Sequence, residues 1–223
     1  MSNYIKSFWE RLSYNERQAI EHLSTEISLQ RKSVIFKEGS ILHSVYIIRR
    51  GIAKMSIYGA SGHESIIHIA SSGDILSYDA LLVGKTYNAT ATALTDVEMI
   101  CIPHTDFTTL IKNYPHIEHE ALTNISLLLN KTAQRINHLS YHSTTSRIAT
   151  AIIEFAGVHG YKNDSHIIDG PIYRKDLAEY AGVTIESAIR TIASMKKKGI
   201  ISSQNKYLII NDIKELTRIS HDE

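Results

Sequence analysis

The segment with the most recognisable chemistry is GVTIESAIRTIASMKKKGII, residues 182–201, which has the periodicity of a helix. Glu186 and Arg190 are four residues apart, so a helix places them on one face. Arginine can donate two hydrogen bonds to guanine, and glutamate can accept one from the amino group of cytosine. Thr184 and Ser187 lie near the helix start, where the helix dipole favours phosphate. These residues indicate a DNA-contacting surface, although an ordinary Glu–Arg ion pair on a solvated helix would have the same spacing.

The elements around this helix predict a winged helix-turn-helix. A helix is predicted to begin near Arg147, a second to run from Pro171 to Tyr180, and Gly182 to make a tight turn before the quoted helix. Two short strands follow around the turn Ser203–Lys206, and the segment IKELTRIS closes the chain as a helix. In this motif the second helix enters the DNA major groove, so its inner face must be apolar. The residues predicted to form that inner stripe are Ala188, Ile192 and Met195.

Local charge supports a nucleic-acid partner. Six basic and three acidic residues between Pro171 and Gly199 give this region a net charge of +3, in a chain of net charge +1. Such a region supplies salt-sensitive affinity for phosphates. Three of the basic residues, Lys196–Lys198, would also suit a helix C-terminus without any ligand.

The first half of the chain predicts a different architecture. Residues 4–24 have helical periodicity, and from Ser28 to Pro103 short β-rich segments alternate with glycine turns. That alternation is typical of an antiparallel barrel or sandwich. From Thr105 the periodicity is helical again.

A long helix is predicted over residues 116–141, with apolar residues at alternating spacings of three and four. This is the heptad pattern of a parallel dimer seam. The alternative is a helix that packs only on its own barrel. The predicted seam consists of Leu122, Ile125, Leu129, Thr132, Ile136 and Leu139.

Composition narrows the class of protein. Hydrophobic residues make up 43% of the 223 positions, enough for real cores, and the single cysteine, Cys101, excludes a disulfide framework. The N-terminus lacks the apolar segment of a signal peptide, and no apolar run is long enough for a membrane span. We therefore expect a cytoplasmic protein without membrane contact.

The chain as a whole resembles the Crp/Fnr superfamily of bacterial transcription regulators. The segments SVIFKEGSILHSVYIIRRGIAKMSI and IIHIASSGDIL resemble its β-roll, and VTIESAIR resembles its recognition helix. The resemblance implies an α+β fold: an antiparallel β-roll of the cyclic-nucleotide-binding type, a long dimerisation helix and a winged helix-turn-helix. The corresponding domains would be residues 1–115, 116–142 and 143–223.

The resemblance also implies a function. A cytoplasmic homodimer would bind a two-fold-related operator in double-stranded DNA, with RNA polymerase as a partner. Glu186 and Arg190 match the family's base-reading glutamate and second arginine, whereas the first arginine is replaced by Ile185, which can pack on a thymine methyl group. The residues at positions where family members meet phosphate or adjacent groups are Thr145, Arg174, Thr184 and Ser187, with Gln204 at the wing tip.

The effector region departs from the cyclic-AMP-binding members. The ribose-binding glutamate falls on Tyr78, with Asp79 adjacent, and the phosphate-binding Arg–Ser pair becomes Tyr87–Asn88. Without the guanidinium, a buried cyclic phosphate loses a strong bidentate contact. Thr132 matches the threonine that meets the adenine. We expect that cyclic AMP does not bind in the usual way. The pocket then either binds another ligand or is filled by the side chains of Tyr78 and Tyr87.

Other sensors and an enzyme are weaker alternatives. One cysteine cannot hold the family's iron–sulfur cluster, and axial haem ligation would require His63 or His68. The same histidines with Glu64 suggest a cupin-like metal enzyme, but adjacent strand residues point to opposite faces. We therefore expect no metal, no cofactor and no enzymatic activity. An effector-independent regulator, always competent for DNA, remains the alternative to a ligand-gated one.

Overall fold

The computed structural model describes residues 6–60, 62–162, 166–205 and 207–222. The chain divides into two compact units, the first comprising Met1–Ile57 and Ile67–Lys131, the second Tyr58–Ile66 and Thr132–Glu223. The boundary between Lys131 and Thr132 falls inside the long helix, which the sequence analysis treated as a segment of its own.

The N-terminal helical region consists of two short helices, α1 (Phe8–Arg11) and α2 (Tyr14–His22). The sequence predicted one helix over residues 4–24, of which residues 4 and 5 lie outside the described residues. The helical structure is confirmed, but a single unbroken helix was the wrong prediction. The break lies where Ser13 forms a capping box with Glu16 and so starts a second helix, as Ser7 does with Glu10 at the start of α1. Each cap starts a helix of its own.

Two four-stranded sheets form the β-roll. Their orders are β1-β8-β3-β6 and β2-β7-β4-β5, and β8 pairs antiparallel with both β1 and β3. The strands are β1 (Thr25–Leu29), β2 (Val34–Phe36), β3 (Ser44–Arg50), β4 (Ala53–Tyr58), β5 (Glu64–Ala70), β6 (Ile75–Leu76), β7 (Thr90–Ala93) and β8 (Val97–Pro103). The predicted antiparallel β architecture is confirmed.

Two apolar clusters fill the first unit. One joins the N-terminal helices to β3 and β8 and to α4 (His104–Asn113), with Phe8, Ile47 and Phe107 fully buried. The other lies between the two sheets and contains Phe36 and Tyr87. A short helix that the sequence analysis did not predict, α3 (Tyr78–Val83), borders both clusters.

The long helix α5 spans Pro115–Tyr141, within one residue of its predicted start. It is followed by α6 (Thr144–His159), whose N-cap is Ser143.

The remaining elements are β9 (Ile167–Pro171), α7 (Arg174–Ala181), α8 (Ile185–Lys197), β10 (Ile201–Gln204), β11 (Tyr207–Ile210) and α9 (Ile213–Ser220). The wing is a three-stranded sheet of order β10-β11-β9. A helix starting at Pro171 was the wrong prediction, because Pro171 ends a strand paired with Tyr207 of β11. The last residue of the predicted wing turn, Lys206, lies outside the described residues.

Candidate DNA-binding surface and effector region

A tight turn at Gly182 sets the direction of α8 relative to α7. Gly182 has a left-handed conformation with φ +62° and ψ +44° and forms the C-cap of α7, which only glycine adopts at little cost. Space imposes a second requirement, because a Cβ at this position would lie 2.9 Å from the Leu139 side chain. The turn is therefore fixed both by backbone geometry and by packing.

α8 has two chemically distinct faces. Ala188, Ile192 and Met195 are buried, which confirms the predicted inner stripe. The opposite face carries the polar and charged residues named from the sequence, and it is accessible to solvent. The exposed side chains on it include Thr184, Ile185, Glu186 and Arg190.

Hydrogen bonds organise the start of α8. Thr184 is the N-cap, and its Oγ1 accepts a hydrogen bond from the Ser187 backbone N–H at 3.2 Å and donates to Ser187 Oγ at 3.1 Å. Arg190 Nη2 donates to Ser187 Oγ at 3.3 Å. In the described part of the chain no ion pair joins Glu186 to Arg190, so the two charged groups are available to a ligand.

Two arginines that sequence analysis missed hold the turn in place. Arg147 Nη1 donates to the carbonyl oxygens of Ala181 at 3.3 Å and Gly182 at 3.2 Å. Arg135 Nη2 donates to the Tyr180 carbonyl at 2.6 Å, and its guanidinium lies 4.4 Å from the centre of the Tyr180 ring. These contacts occupy carbonyls that α7 leaves without helical partners. No sequence signal points to them, because the partners are 34 and 45 residues away.

The other predicted DNA contacts lie at the ends of elements. Arg174 is exposed in the first turn of α7, where the helix dipole disfavours a cation, so its position favours an anionic ligand. Thr145 is exposed in the first turn of α6, and Gln204 is exposed at the end of β10. Lys197 and Lys198 are exposed where α8 ends.

The predicted seam is an exposed apolar row along α5. Leu129 is 67% exposed and Ile136 61% exposed in the single chain, and Leu122 and Leu139 are also exposed. Ile125 differs, because it packs against the cluster that contains Phe8 and Phe107. An isolated helix rarely keeps so many large apolar side chains in water along one stripe.

Tyr87 fills the interior of the β-roll. It is 3% exposed, and its ring stacks on Phe36 with centroids 4.2 Å apart. Its hydroxyl accepts from the backbone N–H groups of His43 and Ser44 and donates to the Ser44 carbonyl, each at 3.2 Å. The side chain thus has a complete set of packing and hydrogen-bond partners without any ligand.

Tyr78 lies in a different apolar cluster from Tyr87. Tyr78 is buried against Phe107 in the other apolar cluster, and burial raises the pKa of its hydroxyl to about 12. Asn88 Nδ2 donates to the Asp79 carboxylate at 3.1 Å. Thr132 is exposed on α5 and belongs to the second unit.

Comparison with known proteins identifies both halves of the chain. Residues 26–114 match the family model of the cyclic nucleotide-binding domain, and residues 146–219 match the Crp-like helix-turn-helix domain. The regulatory protein HlyX of Actinobacillus pleuropneumoniae is 30% identical over 193 residues, which cover 85% of this chain and 79% of HlyX. The chain belongs to the Crp/Fnr family of transcription regulators.

A second relative agrees with this assignment, and a solved structure agrees with the fold. An anaerobic regulatory protein of Haemophilus influenzae is 29% identical over 194 residues, covering 86% of this chain and 75% of the relative. The structure of FixK2 from Bradyrhizobium japonicum superposes with a TM-score of 0.79 at 17% identity, covering 90% of this chain and 98% of FixK2. The FixK2 superposition confirms the α+β fold, and the helix-turn-helix match together with the HlyX relative confirms the assignment as a DNA-binding transcription regulator.

Membership of a family of transcription regulators also bears on whether the protein is an enzyme. The family consists of regulators, not enzymes, and the cupin-like alternative falls with it. Among residues 6–60, 62–162, 166–205 and 207–222, no group of three or more His, Cys, Asp and Glu side chains is arranged to hold a metal ion.

No helix in the described part of the chain is both long and apolar enough to cross a membrane.

Proposed function

We propose that this Crp/Fnr regulator binds a two-fold-related operator as a homodimer, with α8 of each chain in the major groove of one half-site. The observation that carries the proposal is the outer face of α8, where Glu186 and Arg190 are exposed without an ion pair between them and the inner face is buried. A helix-turn-helix dimer places its two recognition helices about one turn of DNA apart. The exposed apolar row of α5 supplies the dimer contact.

Each exposed group on this surface has a chemical role. Arg190 donates to guanine, Glu186 accepts from a cytosine amino group, and Ile185 contacts a thymine methyl. Phosphates are bound by Thr184, Ser187, Arg174 and Thr145 and by Gln204 at the wing.

The test compares affinities of wild type and Arg190→Ala for a duplex selected by the wild-type protein and for random duplex. We expect a loss of about 1–3 kcal/mol on the selected duplex only, with relaxed choice at one base pair. If Arg190→Ala weakens binding to random duplex by the same amount, Arg190 contacts a phosphate and not a base. Arg50→Ala, at an exposed arginine on β3, is the control and should leave both affinities unchanged.

We also propose that cyclic AMP bound in the usual way does not gate this protein. Tyr87 occupies the interior with all its hydroxyl interactions satisfied, and the neighbouring Asn88 amide is bonded to the carboxylate of Asp79. A cyclic phosphate here would meet a carboxylate in place of a guanidinium. Titration calorimetry with cyclic AMP should show no saturable heat, and one bound nucleotide per chain would contradict this proposal.

The cellular location and the protein partner can be proposed from the family. We propose a cytoplasmic protein that acts on RNA polymerase at promoters, since the relatives are bacterial transcription regulators. Co-purification of RNA polymerase on an immobilised promoter duplex, with and without the regulator, tests the partner. Equal recovery of polymerase in both arms would contradict it.

A further inference from the structure

Two isoleucines on α8, between its buried stripe and its charged row, leave apolar surface in water. Ile185 is 42% exposed and Ile189 is 40% exposed. They are four residues apart, so they form a row on one side of the helix. A second row, Glu186 and Arg190, lies one residue further along the chain. The DNA-facing surface therefore consists of an apolar row next to a charged row.

The apolar row has few possible partners in a DNA groove. The isoleucine side chain has no hydrogen-bond donor or acceptor, so it cannot hydrogen-bond to phosphate or to the polar edges of bases. The one apolar group that base pairs present in the major groove is the 5-methyl of thymine. Side chains four residues apart on a helix have Cβ atoms about 5–6 Å apart. That distance lies between one and two base steps of about 3.4 Å each. The two side chains can therefore reach base pairs that are neighbours in the DNA sequence.

We propose that Ile185 and Ile189 together read the methyl groups of two thymines in neighbouring base pairs of each half-site. Ile189 is thereby a specificity-determining residue that neither the sequence motif nor the comparisons identify. This inference rests on the proposed placement of α8 in the major groove. The basic character of residues 171–199, net charge +3, favours DNA over a second protein as the partner of this row.

The experiment removes single methyl groups from the DNA. Each thymine of the selected half-site is replaced by deoxyuridine, which differs only by that methyl, and affinity is measured by fluorescence anisotropy. One buried methyl corresponds to about a fourfold change in affinity, and the same replacement in both half-sites to about 15-fold. We expect two adjacent thymines to show this loss with the wild-type protein.

Protein variants then assign each methyl to a side chain. Ile189→Ala should abolish the sensitivity to one of the two thymines, and Ile185→Ala the sensitivity to the other. Ile213→Ala, at an isoleucine 41% exposed on α9, is the matched control and should keep both. Thermal melting of each variant verifies folding, and the deoxyuridine series with wild-type protein needs no variant.

The outcomes separate this inference from the proposed function. A selected motif without adjacent thymines, indifference to deoxyuridine, or sensitivity that persists in Ile189→Ala would overturn the apolar readout alone. Failure to select any motif, with or without cell extract as a source of effector, would contradict the placement of α8 in the groove and this inference with it.

Discussion

Leu129→Lys should separate the two chains of the homodimer. Leu129 is 67% exposed in the single chain, and complete burial of a leucine side chain is worth about 1.5–3 kcal/mol. The exposed two thirds therefore contribute about 1–2 kcal/mol per chain, or about 2–4 kcal/mol per dimer. The dimer dissociation constant should rise roughly 30- to 700-fold, and burial of two ammonium groups would increase it further.

Sedimentation equilibrium over a range of protein concentrations measures this effect. Asn130→Lys is the matched control, because it adds the same charge to an exposed residue beside the seam and should leave the dimer intact. Circular dichroism verifies that both variants keep their helices. A Leu129→Lys dimer as stable as wild type, or equal dissociation of Asn130→Lys, would show that α5 does not pair through this row.

Three further predictions concern the interior of each unit. Tyr87→Phe should lower the free energy of unfolding by about 1–3 kcal/mol in urea titrations, because buried backbone N–H groups lose their acceptor; an unchanged value would mean that water replaces the hydroxyl. Arg147→Met should weaken binding to the selected duplex and leave the dimer unchanged, since two carbonyls at the α7–α8 turn lose their donor; unaltered affinity would show that the turn needs no support. Burial, with Lys131 nearby, lowers the pKa of His68 to about 4, against an ordinary value of 6.5. The unfolded chain therefore takes up the proton first, so stability should fall by up to about 3 kcal/mol as the pH drops from 6.5 to 4. His68→Gln should flatten that slope, exposed His22→Gln should not, and equal slopes in all three proteins would refute the assignment.

The recognition region was readable from sequence because its signals are local. The inner stripe and the glycine turn lie within a short segment, and α8, with Thr184 as its N-cap, forms where they indicated. The last helix spans the same residues as the predicted segment, Ile213–Ser220. Here capping, periodicity and packing agree, which is the condition under which local patterns predict structure.

The elements that were predicted wrongly or not predicted fall into two groups. The break between α1 and α2 was readable, because Ser7 and Ser13 each begin a capping box. By contrast, α3 follows Ser77 in a left-handed conformation with no side-chain cap, and β9 pairs with β11, a strand about 40 residues further along the chain. The separation of Tyr78 from Tyr87 into different cores likewise depends on tertiary packing that periodicity does not carry.

Sequence reading by α8 in a two-fold dimer is tested by selection of bound DNA from a random duplex pool, with purified protein and no added ligand. We expect enrichment of a motif with two related half-sites about one turn of DNA apart, each containing a guanine for Arg190. Enrichment that appears only after cell extract is added would show that an effector gates the dimer. A single unpaired motif would contradict binding as a two-fold dimer, and absence of any motif under both conditions would contradict sequence reading by α8.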